Sequence, residues 1–251
     1  MRISKRMRAY RRDKRSRIIR TSIIALLLIF IAVGVYVADY YHADDDAIDA
    51  FLPDLAVEAK ELDDGTVVYS PEGATTGIIF YPGGKVEHTA YIPLMKALAE
   101  EGIMTALVDM PFNLAILNIG GADGIQEQFP EIEHWYMAGH SLGGAMAASY
   151  VADNLESFDG LILLAAYSSK DLSETELSVL TVYGSADEVM NRDKYEDSLS
   201  NLPAGYKEAV IDGGNHAGFG MYGEQSGDGE ATITAAEQIL KTAKIIAGFV
   251  K

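Results

Sequence analysis

Between Thr66 and Val250 the chain switches repeatedly between two hydrophobic periods, and few architectures accommodate that switching. Short runs rich in β-branched and aromatic residues read as strands at 66–69, 77–81, 103–108, 132–138, 161–165, 179–183 and 208–211. Helical stripes separate many of them. Tyr91 to Glu101 carries apolar Ile92, Leu94, Met95, Leu98 and Ala99; a small-residue helix follows from Leu142 to Asp153; a charged one lies near Arg192–Leu199; and Ala235 to Val250 closes the chain with Ile239, Ala243, Ile246 and Val250 on one face. Strand–helix–strand repetition predicts an α/β fold, a mainly parallel sheet with helices on both faces. The first two strands flank the turn residues Pro71-Glu72-Gly73 and are expected to form an antiparallel hairpin at one edge.

Charge divides the chain. Residues 1–20 hold ten of its 20 basic residues and a single acid, Asp13, leaving 10 basic and 36 acidic residues beyond them, a net of −26. Between the two parts lies Thr21 to Ala38, eighteen residues without a charge. As a helix this run is about 27 Å long, close to the roughly 30 Å hydrocarbon core of a bilayer. Tyr36, Tyr40 and Tyr41 cluster at its far end, where amphipathic rings favour the interface. The expected organisation is a basic cytoplasmic segment (1–20), a transmembrane anchor (21–38), an acidic spacer (39–64) and a globular domain (65–251) outside the cytoplasm. A cleaved signal peptide, giving a secreted product, is the alternative, although its apolar region is usually only about 7–15 residues. A nucleic-acid-binding tail is disfavoured, because a basic run abutting an apolar span usually sets topology. Within the spacer, Asp45-Asp46-Ala47-Ile48 would cap a short helix carrying Ile48, Phe51, Leu55 and Val57.

Gly139-His140-Ser141-Leu142-Gly143 falls between an expected strand and an expected helix. A serine projected from so sharp a turn adopts strained backbone angles, and glycines on either side relieve the crowding. The turn also brings the Leu142 amide and the positive end of the helix beside the hydroxyl. A serine hydroxyl needs an imidazole to take its proton. Of the five histidines, His216 sits in the Gly213–Gly218 loop after the last expected strand, on the same carboxyl rim as Ser141. Asp187, after the penultimate strand, is the expected orienting acid. Glu188, Asp212 and Asp109 are the alternatives. An oxyanion hole would draw one amide from Leu142 and a second from Gly84 or Lys85 in the Pro82-Gly83-Gly84-Lys85 turn. With no cysteine in the chain, disulfides, thiolate zinc sites and cysteine nucleophiles are excluded. This chemistry requires neither metal nor organic cofactor.

The order Ser141, Asp187, His216 resembles the α/β-hydrolase superfamily, and the surrounding segments resemble its alpha/beta hydrolase fold-5 branch, similar in shape to dienelactone hydrolases. Those segments are 80–84, 109–113, 138–144, 183–187, 213–217 and 227–232, and the resemblance covers Gly65 to Lys251. It departs from the dienelactone hydrolases in its serine nucleophile, and Tyr81-Pro82 stands where many relatives carry histidine-glycine. The resemblance implies a carboxylesterase-type serine hydrolase acting on a small-molecule ester or related acyl bond through an acyl-enzyme. An acyltransferase or peptidase would use the same residues, and a non-catalytic surface binding module is the remaining alternative. The interval 165–177 is too short for a helical lid, which favours small acyl groups. Phe112, Leu114, Phe219, Met221 and Tyr222 are expected to line the pocket. Nucleic acid is not an expected partner, and the oligomeric state is left open.

Overall fold

A computed structural model describes residues 2–51 and 57–250, which divide into two compact units meeting between Asp39 and Tyr40. The first unit is one helix, α1 (Arg2–Ala38). Its Arg17–Ala38 portion is 22 residues long and apolar enough to cross a membrane, and none of its residues is buried.

The second unit is built on a single eight-stranded sheet. In chain order its strands are β1 (Ala59–Glu61), β2 (Val67–Tyr69), β3 (Thr76–Tyr81), β4 (Met104–Leu107), β5 (His134–His140), β6 (Gly160–Leu164), β7 (Ser178–Gly184) and β8 (Lys207–Ile211), and they lie in the order β1-β2-β4-β3-β5-β6-β7-β8. From β4 to β8 every pairing is parallel; β1 and β2 extend the sheet antiparallel at one edge. The expected hairpin of the first two runs does not form, because β4 lies between β2 and β3. Composition explains the swap. β3 is buried on both faces over almost its whole length, so it belongs at the centre between two parallel neighbours, whereas β1, exposed throughout, serves as the edge.

Alternation along the strands feeds two cores. Ile78 and Phe80 of β3, with Ile162 and Leu164 of β6, point into the core beneath α3 (Ile92–Glu100) and α6 (Ala235–Val250). Ile79, Tyr81, Leu161 and Leu163 point to the opposite core, with Ala147, Ala148 and Val151 of α4 (Leu142–Asp153).

The segment expected as a spacer is largely part of the domain. Tyr41 bridges to Val86, its ring packs 5.6 Å from that of Tyr222, and its hydroxyl accepts from the Ser226 amide. The helix α2 (Asp45–Phe51) is capped by Asp44 and buries Ile48 in the core; Leu55, expected on the same helix, lies outside the described residues.

Candidate active site

All parallel strands point their carboxyl ends to one rim, and the turns leaving β3, β5, β7 and β8 carry the candidate residues. Ser141, between β5 and α4, takes φ 52° and ψ −121°, a strained geometry held because the whole turn is boxed in. At Gly143 a Cβ would lie 2.2 Å from the carbonyl oxygens of both Tyr81 and Pro82. Glycine here lets the start of α4 settle directly onto the end of β3, with the Leu142 side chain against Gly84.

The histidine and the acid meet. His216 Nδ1 lies 2.9 Å from Asp187 Oδ2, and both side chains are almost wholly buried. The other carboxylate oxygen, Oδ1, accepts from the Val189 amide at 3.0 Å and the Met190 amide at 2.8 Å. Backbone thus fixes the carboxylate, and the carboxylate fixes the imidazole with Nδ1–H as donor. His216 Nε2 is buried and has no hydrogen-bond partner among the described residues. It and Ser141 border one cavity of about 290 Å³, lined also by Leu142, Ala145, Ala165, Ala166, Tyr167, Val189, Met190 and Asn191. No hydrogen bond yet joins Ser141 Oγ to Nε2; such contacts commonly tighten only when substrate is bound.

Three sequence expectations are corrected here. The Lys85 amide donates to the Asn113 carbonyl at 2.7 Å, so it is already occupied, which leaves Gly84, packed against the Leu142 side chain, as the remaining candidate of that turn. Asp109 pairs with His88 at 3.3 Å, away from His216. The expected pocket lining is also wrong: Phe219, Met221 and Tyr222 are buried in the core under α6, and Phe112 projects to solvent. The cavity opens instead toward the 165–167 and 189–191 loops.

Several residues that sequence reasoning left without a role hold the site in shape. Asp228 accepts from the amides of His216, Ala217 and Gly229, anchoring the histidine loop, and it falls within the 227–232 segment flagged by the resemblance. Gln238 of α6, 1% exposed, accepts from the Asn215 amide and donates to the Asn215 carbonyl. Only the fold brings these groups next to His216, so spacing in the sequence offered no signal for Gln238.

Beneath His216 lies a second imidazole. The His140 ring is 4.6 Å from the His216 ring, and His140 Nδ1 is 2.8 Å from the Tyr91 hydroxyl. That hydroxyl also accepts from the Gly83 amide at 3.1 Å. Burial, then the neighbouring His216, hold the His140 pKa well below its usual 6.5, which keeps the ring neutral; burial likewise pushes the Tyr91 phenol up.

Two predictions follow from this pair. Tyr91→Phe strips partners from the Gly83 amide and from His140 Nδ1 in a closed interior, and is expected to cost about 1–3 kcal/mol, read by denaturant unfolding. Because His140 is hard to protonate only in the folded state, the unfolded chain binds the extra proton as pH falls below about 6.5, and stability drops with it. The slope from this one group is at most about 1.4 kcal/mol per pH unit. His140→Gln should unfold with a shallower pH dependence than wild type between pH 6.5 and 5; identical slopes would exclude the assignment.

Residues 77–240 match the sequence description of the Alpha/beta hydrolase family. A search among curated protein sequences finds no match. Among solved structures the chain is similar to a dienelactone hydrolase from Anabaena variabilis ATCC 29413 (15% identity, TM-score 0.57, covering 77% of this chain and 95% of that one). It is similar also to TT1662 from Thermus thermophilus (15%, 0.56, 77% and 96%). A third is a predicted CIB-like hydrolase from Thermoplasma acidophilum (14%, 0.55, 78% and 100%). At such identities the likeness concerns the fold.

Proposed function

Because the chain belongs to the alpha/beta hydrolase family, we propose that it is a serine hydrolase cleaving a carboxylic ester through an acyl-enzyme, with Ser141, His216 and Asp187 as its catalytic residues. The observation that carries this reading is the buried His216–Asp187 pair, whose remaining ring nitrogen is unpartnered beside the cavity that Ser141 borders.

In this mechanism Ser141 Oγ adds to the ester carbonyl while His216 Nε2 takes its proton. Asp187 stabilises the imidazolium through the 2.9 Å contact at Nδ1. The developing oxyanion is held by the Leu142 amide and the Gly84 amide. Collapse breaks the carbon–oxygen bond, and the leaving alcohol takes the proton from Nε2. Water, deprotonated by the same nitrogen, then adds to the acyl-enzyme and releases the acid with Ser141 regenerated. The modest cavity suits a short acyl group, and the 165–177 interval contains no helix to cover it.

A fluorophosphonate probe tests the reading. Wild type is expected to label and Ser141→Ala not; a folded wild-type protein that fails to label would support a binding module instead.

The same proposal places the hydrolase outside the cytoplasm on a single-pass anchor. Its support is the 22-residue apolar stretch, none of whose residues is buried, together with the basic run at the start of the chain. The full-length mass is expected to stay in the membrane fraction after carbonate extraction. A soluble product lacking the first 30 or so residues would instead mark a cleaved signal.

A further inference from the structure

Phe112, Ile116 and Leu117 are 63%, 55% and 57% exposed, a cluster within one short stretch after β4. Elsewhere in the second unit, among the described residues, the exposed large apolar side chains are Leu155, Val210 and Leu240, each on a different element. Three such side chains in six residues are unusual for a surface in water. The backbone beneath them is well held: the Asn113 amide donates to Met110, the Leu114 amide to Pro111, and the Asn113 carbonyl accepts from Lys85. Phe112 itself sits at φ 57°, a conformation rarely taken by a bulky residue, and its ring faces outward.

The chain's connectivity says what lies near this loop. The Lys85 carbonyl accepts from the Tyr41 amide at 2.7 Å, and the Glu87 amide donates to Tyr41 at 2.9 Å, so the domain grips its own amino-terminal lead at the turn that also grips the Phe112 loop. Tyr41 is three residues beyond Ala38, the last residue of the apolar helix, and three residues reach at most about 11 Å. If that helix spans a bilayer, as the anchored reading above has it, the turn carrying Gly84 and Lys85 cannot stand far from the lipid surface. Headgroup charge is not the attraction, because the body beyond residue 20 carries a net of −26.

We propose that Phe112, Ile116 and Leu117 insert into the acyl boundary of the bilayer that holds the anchor, seating the carboxyl rim of the sheet, with Ser141, against the membrane. This rests on the anchored reading and extends it: the occupant of the exposed apolar loop is lipid, and ester substrates reach the site from the membrane side. Binding of this kind depends on apolar area rather than on charge, so it should withstand high salt.

The absence of cysteine makes the test direct. Single Phe112→Cys, Ile116→Cys and Leu117→Cys variants of the full chain are labelled with the environment-sensitive dye NBD and reconstituted into phosphatidylcholine vesicles containing doxyl-labelled acyl chains. Leu155→Cys and Val210→Cys serve as surface controls and Leu27→Cys reports on the helix. The expected result is blue-shifted emission and doxyl quenching at 112, 116, 117 and 27, unchanged in 0.5 M salt, with neither at 155 or 210. Quenching at 27 but not at the loop overturns the docking while leaving the anchor. No quenching at 27 overturns both. A blue shift at the loop without quenching means that a protein surface, such as a second copy, covers it, and equal quenching at 155 and 210 means unspecific adsorption; either result overturns the proposal. Retained fluorophosphonate labelling of each variant verifies that the fold survives.

Discussion

Asp187→Asn is expected to lower kcat toward a short-chain ester by about 10⁴-fold while leaving the thermal transition nearly in place. The reason is specific to how this carboxylate is held. Oδ1 accepts two backbone amides, from Val189 and Met190, so an asparagine must turn its oxygen toward them and its NH2 toward His216. An NH2 group at that position can only donate, so His216 Nδ1 must become the acceptor and the ring proton moves to Nε2. The imidazole then meets Ser141 with a hydrogen already on the nitrogen that should receive one. Ester turnover and a melting curve on the same preparation test this together. A loss smaller than tenfold with the fold intact would mean that His216 does not act as the base.

The largest effect on stability is expected at Gly143. Any side chain there meets the carbonyl oxygens of Tyr81, the last residue of β3, and of Pro82 just beyond it at 2.2 Å, and both belong to backbone, not to a flexible side chain that can swing away. Gly143→Ala must therefore lift α4 off the sheet. A cost of at least about 3 kcal/mol is expected, of the size seen for severe overpacking. For a domain of this size that lowers Tm by about 6–12 °C. The same displacement separates the Leu142 amide from the Gly84 turn, so activity at a temperature where the variant remains folded should fall as well. Gly248, in the last turn of α6, has open space where a Cβ would go and supplies the control: Gly248→Ala should leave both properties nearly unchanged.

Where the sequence was informative, the reason was local. The helix Leu142–Asp153 and the helix Ala235–Val250 were readable to the residue, because small or apolar side chains recur there at the helical period and the bounding residues break it. The strand β6 was readable because a run buried on both faces is continuously apolar. β1 was not: Ala-Lys-Glu, exposed throughout, carries no periodicity, and only pairing with β2 makes it a strand. Strand order was equally hidden, since turn residues at Pro71–Gly73 predict a reversal of direction but not which neighbour the next strand finds.

At the candidate site the division has the same origin. The residue types and their order along the chain (serine in a glycine-flanked turn, then an acid, then histidine in a loop after a strand) are local chemistry, and the linear sequence points to Ser141 and His216 while leaving Asp187 beside Glu188, Asp212 and Asp109; the 2.9 Å contact with His216 falls to Asp187. What only the tertiary structure decided is which polar groups are already occupied. The Lys85 amide is taken by Asn113, Asp109 by His88, and the histidine loop is held by Asp228 of the following loop and Gln238 of α6. A hydrogen bond is settled by distances of about 3 Å between groups that can be more than a hundred residues apart, and no pattern of neighbours along the chain encodes that proximity.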